Sequence, residues 1–226
     1  MTTRQPLPLD AAFPRPLLRG WLHAVAVAGG VATTVALCLQ CAGDPPRMLS
    51  MLVYGLSMCA LFAASALYHL GSWPPVWHAR LRALDHASIF GLIAGTYTPI
   101  AFNVLEGWER LAILVVIWAL AAVGIALSVH TLRLPRAAST VLYVGMGWAA
   151  LAAAPSLLRA LPAAAITTLV AGGLAYTAGA LVYALRRPDP FPRVFGFHEV
   201  FHALVVAANA AFATAIWLWV VPFPRA

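Results

Sequence analysis

Apolar residues fill seven long stretches of this chain, and short clusters of Pro, Gly, Asp, Asn or Arg separate them. The expected helices are Gly20–Cys41, Met48–Leu70, Ala83–Val104, Trp108–Val129, Ala138–Ala154, Pro162–Leu185 and His198–Val221. Each approaches the roughly 17–25 residues that a helix needs to cross a bilayer. The breaks carry turn chemistry: Gly43-Asp44-Pro45-Pro46 after the first stretch and Gly71-Ser72-Trp73-Pro74-Pro75 after the second. The fifth stretch is short and is expected to stop near Pro155, while Pro162 is expected in the first turn of the sixth, where its missing N–H costs nothing. Pro99 predicts a kink in the third. Pro6, Pro8, Pro14 and Pro16 argue against a helix over residues 1–18. The fold class expected is therefore an all-α integral membrane protein, a tail of residues 1–18 followed by a seven-helix transmembrane domain over residues 19–222.

Composition supports the membrane reading. The chain is 62% hydrophobic and only 9% charged, against about 25% charged in a soluble domain. The net charge of +7 comes entirely from arginine, since the chain has no lysine. The arginines are scattered among loops and form no stripe, so nucleic acid is not an expected partner; they read as topology signals and headgroup contacts. With the N-terminus cytoplasmic, Arg4, Arg15, Arg19, Arg80, Arg82, Arg133, Arg136, Arg186, Arg187 and Arg193 fall inside, and Arg47, Arg110, Arg159 and Arg225 outside. The positive-inside rule then places the N-terminus in and the C-terminus out. The first stretch is longer than the roughly 7–15 residues of a signal-peptide core, so it is retained as a transmembrane helix. Cys38, Cys41 and Cys59 have no pairing pattern and read as packing residues. Trp21, Trp73, Trp77, Trp108, Trp217 and Trp219 lie near segment ends, as an aromatic belt requires.

Polar residues inside such segments are costly and usually functional. His198 and His202 stand four apart at the start of the seventh stretch, on one helix face, close enough to share an ion. Ser65 and His69 repeat that spacing at the end of the second, and Asp85 opens the third. The topology brings His69, Asp85, His198 and His202 to one membrane depth. Three neutral imidazoles with an open fourth position are the ligands of a catalytic type of zinc site. Asp85 is the natural base and Ser65 a supporting hydrogen-bonding group. His198-Glu199-Val200-Phe201-His202 also matches the metalloprotease pattern H-E-x-x-H. That reading is set aside because so short a match arises by chance and a peptidase also needs a cleft for an extended chain; Glu199 lies about 100° round the helix from His198, is expected to face the headgroup region, and stays open as the alternative base. Taken alone, Asp85 could serve as a helix N-cap or first-turn acid, and Ser65 as a small packing residue. His23, His78 and His130 have no partner at suitable spacing and read as surface or interface residues, and His86 points to a different face from Asp85.

These motifs, in this order, resemble the hemolysin III proteins, which belong with the progestin and adipoQ receptors and, more distantly, the alkaline ceramidases. The stretch from Leu84-Asp85-His86-Ala87-Ser88 to Thr96-Tyr97-Thr98-Pro99 is similar to the bacterial branch, as is His198-Glu199-Val200-Phe201-His202. Ala87-Ser88 departs slightly from the family pattern, where a serine before a small residue would be expected. The resemblance covers essentially the whole chain. It implies seven helices with the N-terminus inside, zinc (Zn2+) held by His69, His198 and His202, and Asp85 acting through water with Ser65 nearby. The function expected is zinc-dependent hydrolysis of lipid amides or esters in membrane lipid homeostasis. The alternatives are a receptor-like lipid-state sensor with structural zinc, and a pore-forming cytolysin, which the sequence supports least. Expected partners are membrane lipids, with a lipid substrate or ligand inside the bundle and self-association as a further option. The Arg-only basic set and Ala-rich spans point to a bacterial origin, and the localisation expected is the bacterial inner (plasma) membrane.

Overall fold

The computed structural model describes residues 16–129 and 136–224, so the tail up to residue 15 and His130, Arg133 and Arg225 lie outside the described residues. Among them are α1 (Trp21–Gln40), α2 (Pro45–Leu70), α3 (Pro75–Val104), α4 (Gly107–Val129), α5 (Arg136–Trp148), α6 (Ala154–Ala160), α7 (Ala163–Leu185) and α8 (Phe197–Ala215). A 3₁₀ stretch, Ala149–Ala153, joins α5 to α6, and a π-helical turn, Ile216–Val220, ends α8. Seven spans are long and apolar enough to cross a bilayer, α5 and α6 forming one of them as Ala138–Ala160. The described residues form no β-strand, only an isolated bridge between Phe191 and Phe195. The chain is an all-helical integral membrane protein.

Several boundaries differ from the sequence expectation, each for a local reason. Helix α2 starts at Pro45 because Asp44 caps it, its carboxylate accepting the Arg47 N–H at 3.1 Å. Helix α3 starts at Pro75, not at Ala83, since Pro74 caps it and Pro75 fits the first helical position, where its missing N–H costs nothing. Arg80 and Arg82 therefore ride on α3, and Asp85 sits well inside it, which overturns the N-cap or first-turn alternative. Pro155 does not stop the fifth span; it occupies the first turn of α6, and the helical path runs on to Ala160. Pro162 is the N-cap of α7, one position before its first turn. Pro99 is accommodated within a continuous α3, with Asn103 Nδ2 donating to the Pro99 carbonyl at 2.7 Å.

Helix α1 packs on α2, α2 on α3, α3 on α4, α7 on α8, and α8 returns to α1, while α5 touches α3, α4 and α7 sparingly. The largest cluster of buried apolar residues among those described lies mainly between α1, α2, α3 and α8, around Leu37, Met51, Tyr54, Phe62, Leu92 and Val205. Large apolar residues such as Leu111, Val115, Val123, Leu174 and Leu181 point outward, as a lipid-facing surface requires. The loose side of the ring, where α5 faces α3 and α7, encloses one large cavity of about 2360 Å³.

Candidate metal centre

Two helices far apart in sequence deliver the three histidines. His69 lies in the last turn of α2, and His198 and His202 in the first turns of α8. Their ligand nitrogens all lie within 4.8 Å of one another. His69 Nε2 and His198 Nε2 are 3.1 Å apart, close to the roughly 3.3 Å that separates two donors on a tetrahedral zinc. The ring centroids are 4.7 Å apart for His69–His198, 5.2 Å for His69–His202 and 4.5 Å for His198–His202. His202 is buried, and its Nδ1 has no hydrogen-bond partner among the described residues. A buried imidazole nitrogen without a partner is costly unless something absent from the protein chain satisfies it. The donor set, three convergent imidazoles, fits a metal ion.

Asp85 and Ser65 line the same cavity as the three histidines. The Ser65 hydroxyl lies beside the Asp85 carboxyl, buried and without a hydrogen bond of standard geometry. Asp85 Oδ2 is 3.7 Å from His86 Nδ1, and that nitrogen is 2.9 Å from the Arg82 carbonyl. Asp85 is thus in the chamber without belonging to the group of donors that meet.

Glu199 does not face the headgroups: it is fully buried, ion-paired with Arg19, and accepts the Gly196 N–H at 2.8 Å. Its carboxylate is committed to Arg19 and to the start of α8, so it is a fastener and not a free base. His23 is not a surface residue: it is 2% exposed, lines the cavity, and stacks on His202 with centroids 3.8 Å apart and planes 11° from parallel. Spacing arguments missed it because it has no partner on α1. The depth argument would have found it, since His23 opens the first span on the side of the bundle where His69 and His198 lie. His78 also borders the cavity, 5.0 Å from the Tyr68 ring.

Gly20 explains how α1 comes so close. It is the N-cap of α1 in the left-handed conformation, φ 85°, and a Cβ there would stand 2.8 Å from His69 Cβ. Only glycine fits both demands. Just before it, Leu17 and Leu18 donate backbone hydrogen bonds to the Arg193 and Val194 carbonyls at 3.0 and 3.1 Å. The entry to α1 is thereby tied to the loop preceding α8.

The sequence profile of the haemolysin-III-related family matches residues 11–213. The hemolysin-3 homolog of Bacillus subtilis (strain 168) is 29% identical over 208 residues, covering 89% of this chain and 92% of that protein. Hemolysin-3 of Bacillus cereus is 33% identical over 180 residues, covering 80% and 79%. The monocyte to macrophage differentiation factor of Homo sapiens is 25% identical over 197 residues, covering 84% and 78%.

Proposed function

The chain belongs to the haemolysin-III-related family, and from that premise we propose that it is a zinc-dependent hydrolase of lipid amides or esters in a bacterial plasma membrane. The observation that carries this reading is the meeting of His69, His198 and His202 at the polar end of a large, mostly apolar cavity. The three imidazoles would hold the ion in their neutral form. When bound, zinc supplies Lewis acidity toward a carbonyl and lowers the pKa of water to about 7.

The chain's own groups do the rest. Asp85 takes a proton from the attacking water and returns it to the leaving amine or alkoxide, so the acyl C–N or C–O bond breaks as the new C–O bond forms. Ser65, beside that carboxyl, orients it or the reacting oxygen. His23 holds the His202 ring in place by stacking. The apolar cavity wall receives acyl chains and excludes bulk water. The N-terminus and the tail of residues 1–18 face the cytoplasm, with the C-terminus outside, as the arginine distribution favours.

Elemental analysis is the direct test. Wild type is expected to carry one zinc per chain, and His202→Ala close to none. Asp85→Asn should keep the metal and lose about 10²–10⁴-fold in turnover. Zinc-loaded protein that cleaves no ceramide, N-acyl lipid or ester would end the hydrolase reading. Retained cellular activity in Asp85→Asn, with metal removal lowering thermal stability, would instead favour a lipid-state sensor built around structural zinc.

A further inference from the structure

The same cavity carries a second chemical signature besides the histidines. Arg80, Arg82, Arg186 and Arg193 all line it, from the first half of α3, the end of α7 and the loop before α8. Among the described residues none of the four is ion-paired with a carboxylate. Of the acids lining the cavity, Asp189 accepts the Phe197 N–H at 2.9 Å and Asp85 lies 3.7 Å from His86 Nδ1, while Glu199 nearby is paired with Arg19. Arg80 rests on the Trp77 ring, 5.2 Å from its centroid, which leaves Arg82, Arg186 and Arg193 as the guanidinium groups free to meet a ligand.

Arg186 is the most telling of them. It caps α7 in the left-handed conformation at φ 56°, a position normally filled by glycine or asparagine. A long cationic side chain at a backbone site that penalises side chains calls for a use beyond ending the helix.

The cavity's shape completes the picture. Its wall follows α3 from Arg82 past Ile89, Ile93 and Ile100 to Leu105, roughly 34 Å at 1.5 Å per residue. That is close to the thickness of a bilayer's hydrocarbon core, about 30 Å. Its volume, about 2360 Å³, is more than twice the ~1,000 Å³ upper range of pockets for drug-sized ligands. One end is cationic and the remainder largely hydrocarbon.

We infer that the cavity selects acyl lipids with an anionic headgroup, Arg82, Arg186 and Arg193 holding a phosphate at the mouth while the acyl chains lie along α3. Guanidinium forks match phosphate oxygens in pairs, and a zwitterionic headgroup would bring its own ammonium cation against this cluster of arginines. This selection rests on the reading of the cavity as the lipid site, and it narrows the substrate from acyl lipids in general to anionic phospholipids. The carbonyl carbon of such an ester sits one glycerol unit from the phosphate, so a phosphate held by the arginines leaves the ester to face the chamber of His69, His198 and His202.

Native mass spectrometry of the delipidated full chain in neutral detergent tests it, by titration with phosphatidylglycerol and phosphatidylcholine of identical acyl chains. Wild type should favour phosphatidylglycerol at least 10-fold. The R82Q/R186Q/R193Q variant should bring the ratio near one, phosphatidylglycerol binding falling by more than phosphatidylcholine binding, and R186Q alone should lower the ratio if the triple variant does not fold. Filling the wall with V144W/A180W should suppress binding of both lipids, and glycerol phosphate should not compete. A wild-type ratio near one overturns the inference. So does a preference that survives V144W/A180W, which would place the lipid on the outer surface, or competition by glycerol phosphate, which would make this a site for free phosphate. The preference should persist in His202→Ala, so a protein that selects phosphatidylglycerol yet hydrolyses nothing sinks the hydrolase reading alone. A protein that hydrolyses neutral lipids without selecting sinks only this inference.

Discussion

His202 has its ring flat against His23, its neighbours His69 and His198 close by, and an Nδ1 without a hydrogen-bond partner among the described residues. Its position depends on packing as much as on its own rotamer. His23→Ala should remove the stack and weaken zinc affinity about 10–100-fold, the usual cost of losing a group that orients a ligand. His23→Phe should restore most of it, and zinc competition titration would separate the two; equal loss in both would mean that an imidazole nitrogen is required there. Glu199 works by a different force. Glu199→Ala strands Arg19 and uncaps α8 at Gly196, and removing one partner of a buried pair costs roughly 3 kcal/mol or more. Stability to thermal or detergent unfolding should fall accordingly. At this scale the pair His198 and His202 was legible from spacing alone, because a four-residue step fixes a shared helix face. The role of Glu199 was not, because which way a first-turn side chain points depends on Arg19, 180 residues away in sequence.

Among the elements, the fifth span is the one that tertiary contacts reshape. It abandons α-helical geometry over Ala149–Ala153, and backbone groups released there must be satisfied inside the protein, since lipid offers no hydrogen bonds. Tyr97 of α3 does this. Its hydroxyl oxygen accepts the Ala150 N–H at 2.6 Å and lies 2.9 and 2.7 Å from the Met146 and Gly147 carbonyls, one of which takes its proton. Tyr97→Phe should therefore destabilise by about 1–3 kcal/mol, with faster amide exchange confined to residues near 146–150. Uniform exchange along the span would mean that the break is held by other contacts. The sequence anticipated an interruption at Pro155, but could not reveal that the chain passes through it, because proline is tolerated in a first turn and Tyr97 repairs the turns before it. The early start of α3 has the same character: Pro74-Pro75 is ambiguous between an end and a beginning until the neighbouring helices are placed.

Across the whole molecule, Arg47 joins the second span to the last. It pairs with Asp44 and donates to the Val221 carbonyl and, at 2.7 Å, to the Phe223 carbonyl, tying the start of α2 to the close of the last span. An arginine that the charge count assigns to topology thus also clamps the chain. The proposed orientation predicts that, in a cysteine-free background, Gly43→Cys reacts with an impermeant thiol reagent from outside intact spheroplasts. Ser72→Cys should react only after lysis, and the opposite pattern would invert the bundle. By itself the sequence determined the class, the seven spans and the common depth of His69, Asp85, His198 and His202, because hydropathy and helix pitch are local and additive along a chain. Only the tertiary structure decided that the three imidazoles converge, that His23 joins them, that Glu199 is withdrawn into an ion pair, and that a cavity opens beside a loosely held α5. Those outcomes depend on how the helices are rotated and spaced around the ring, and such degrees of freedom are set by contacts between residues far apart in sequence.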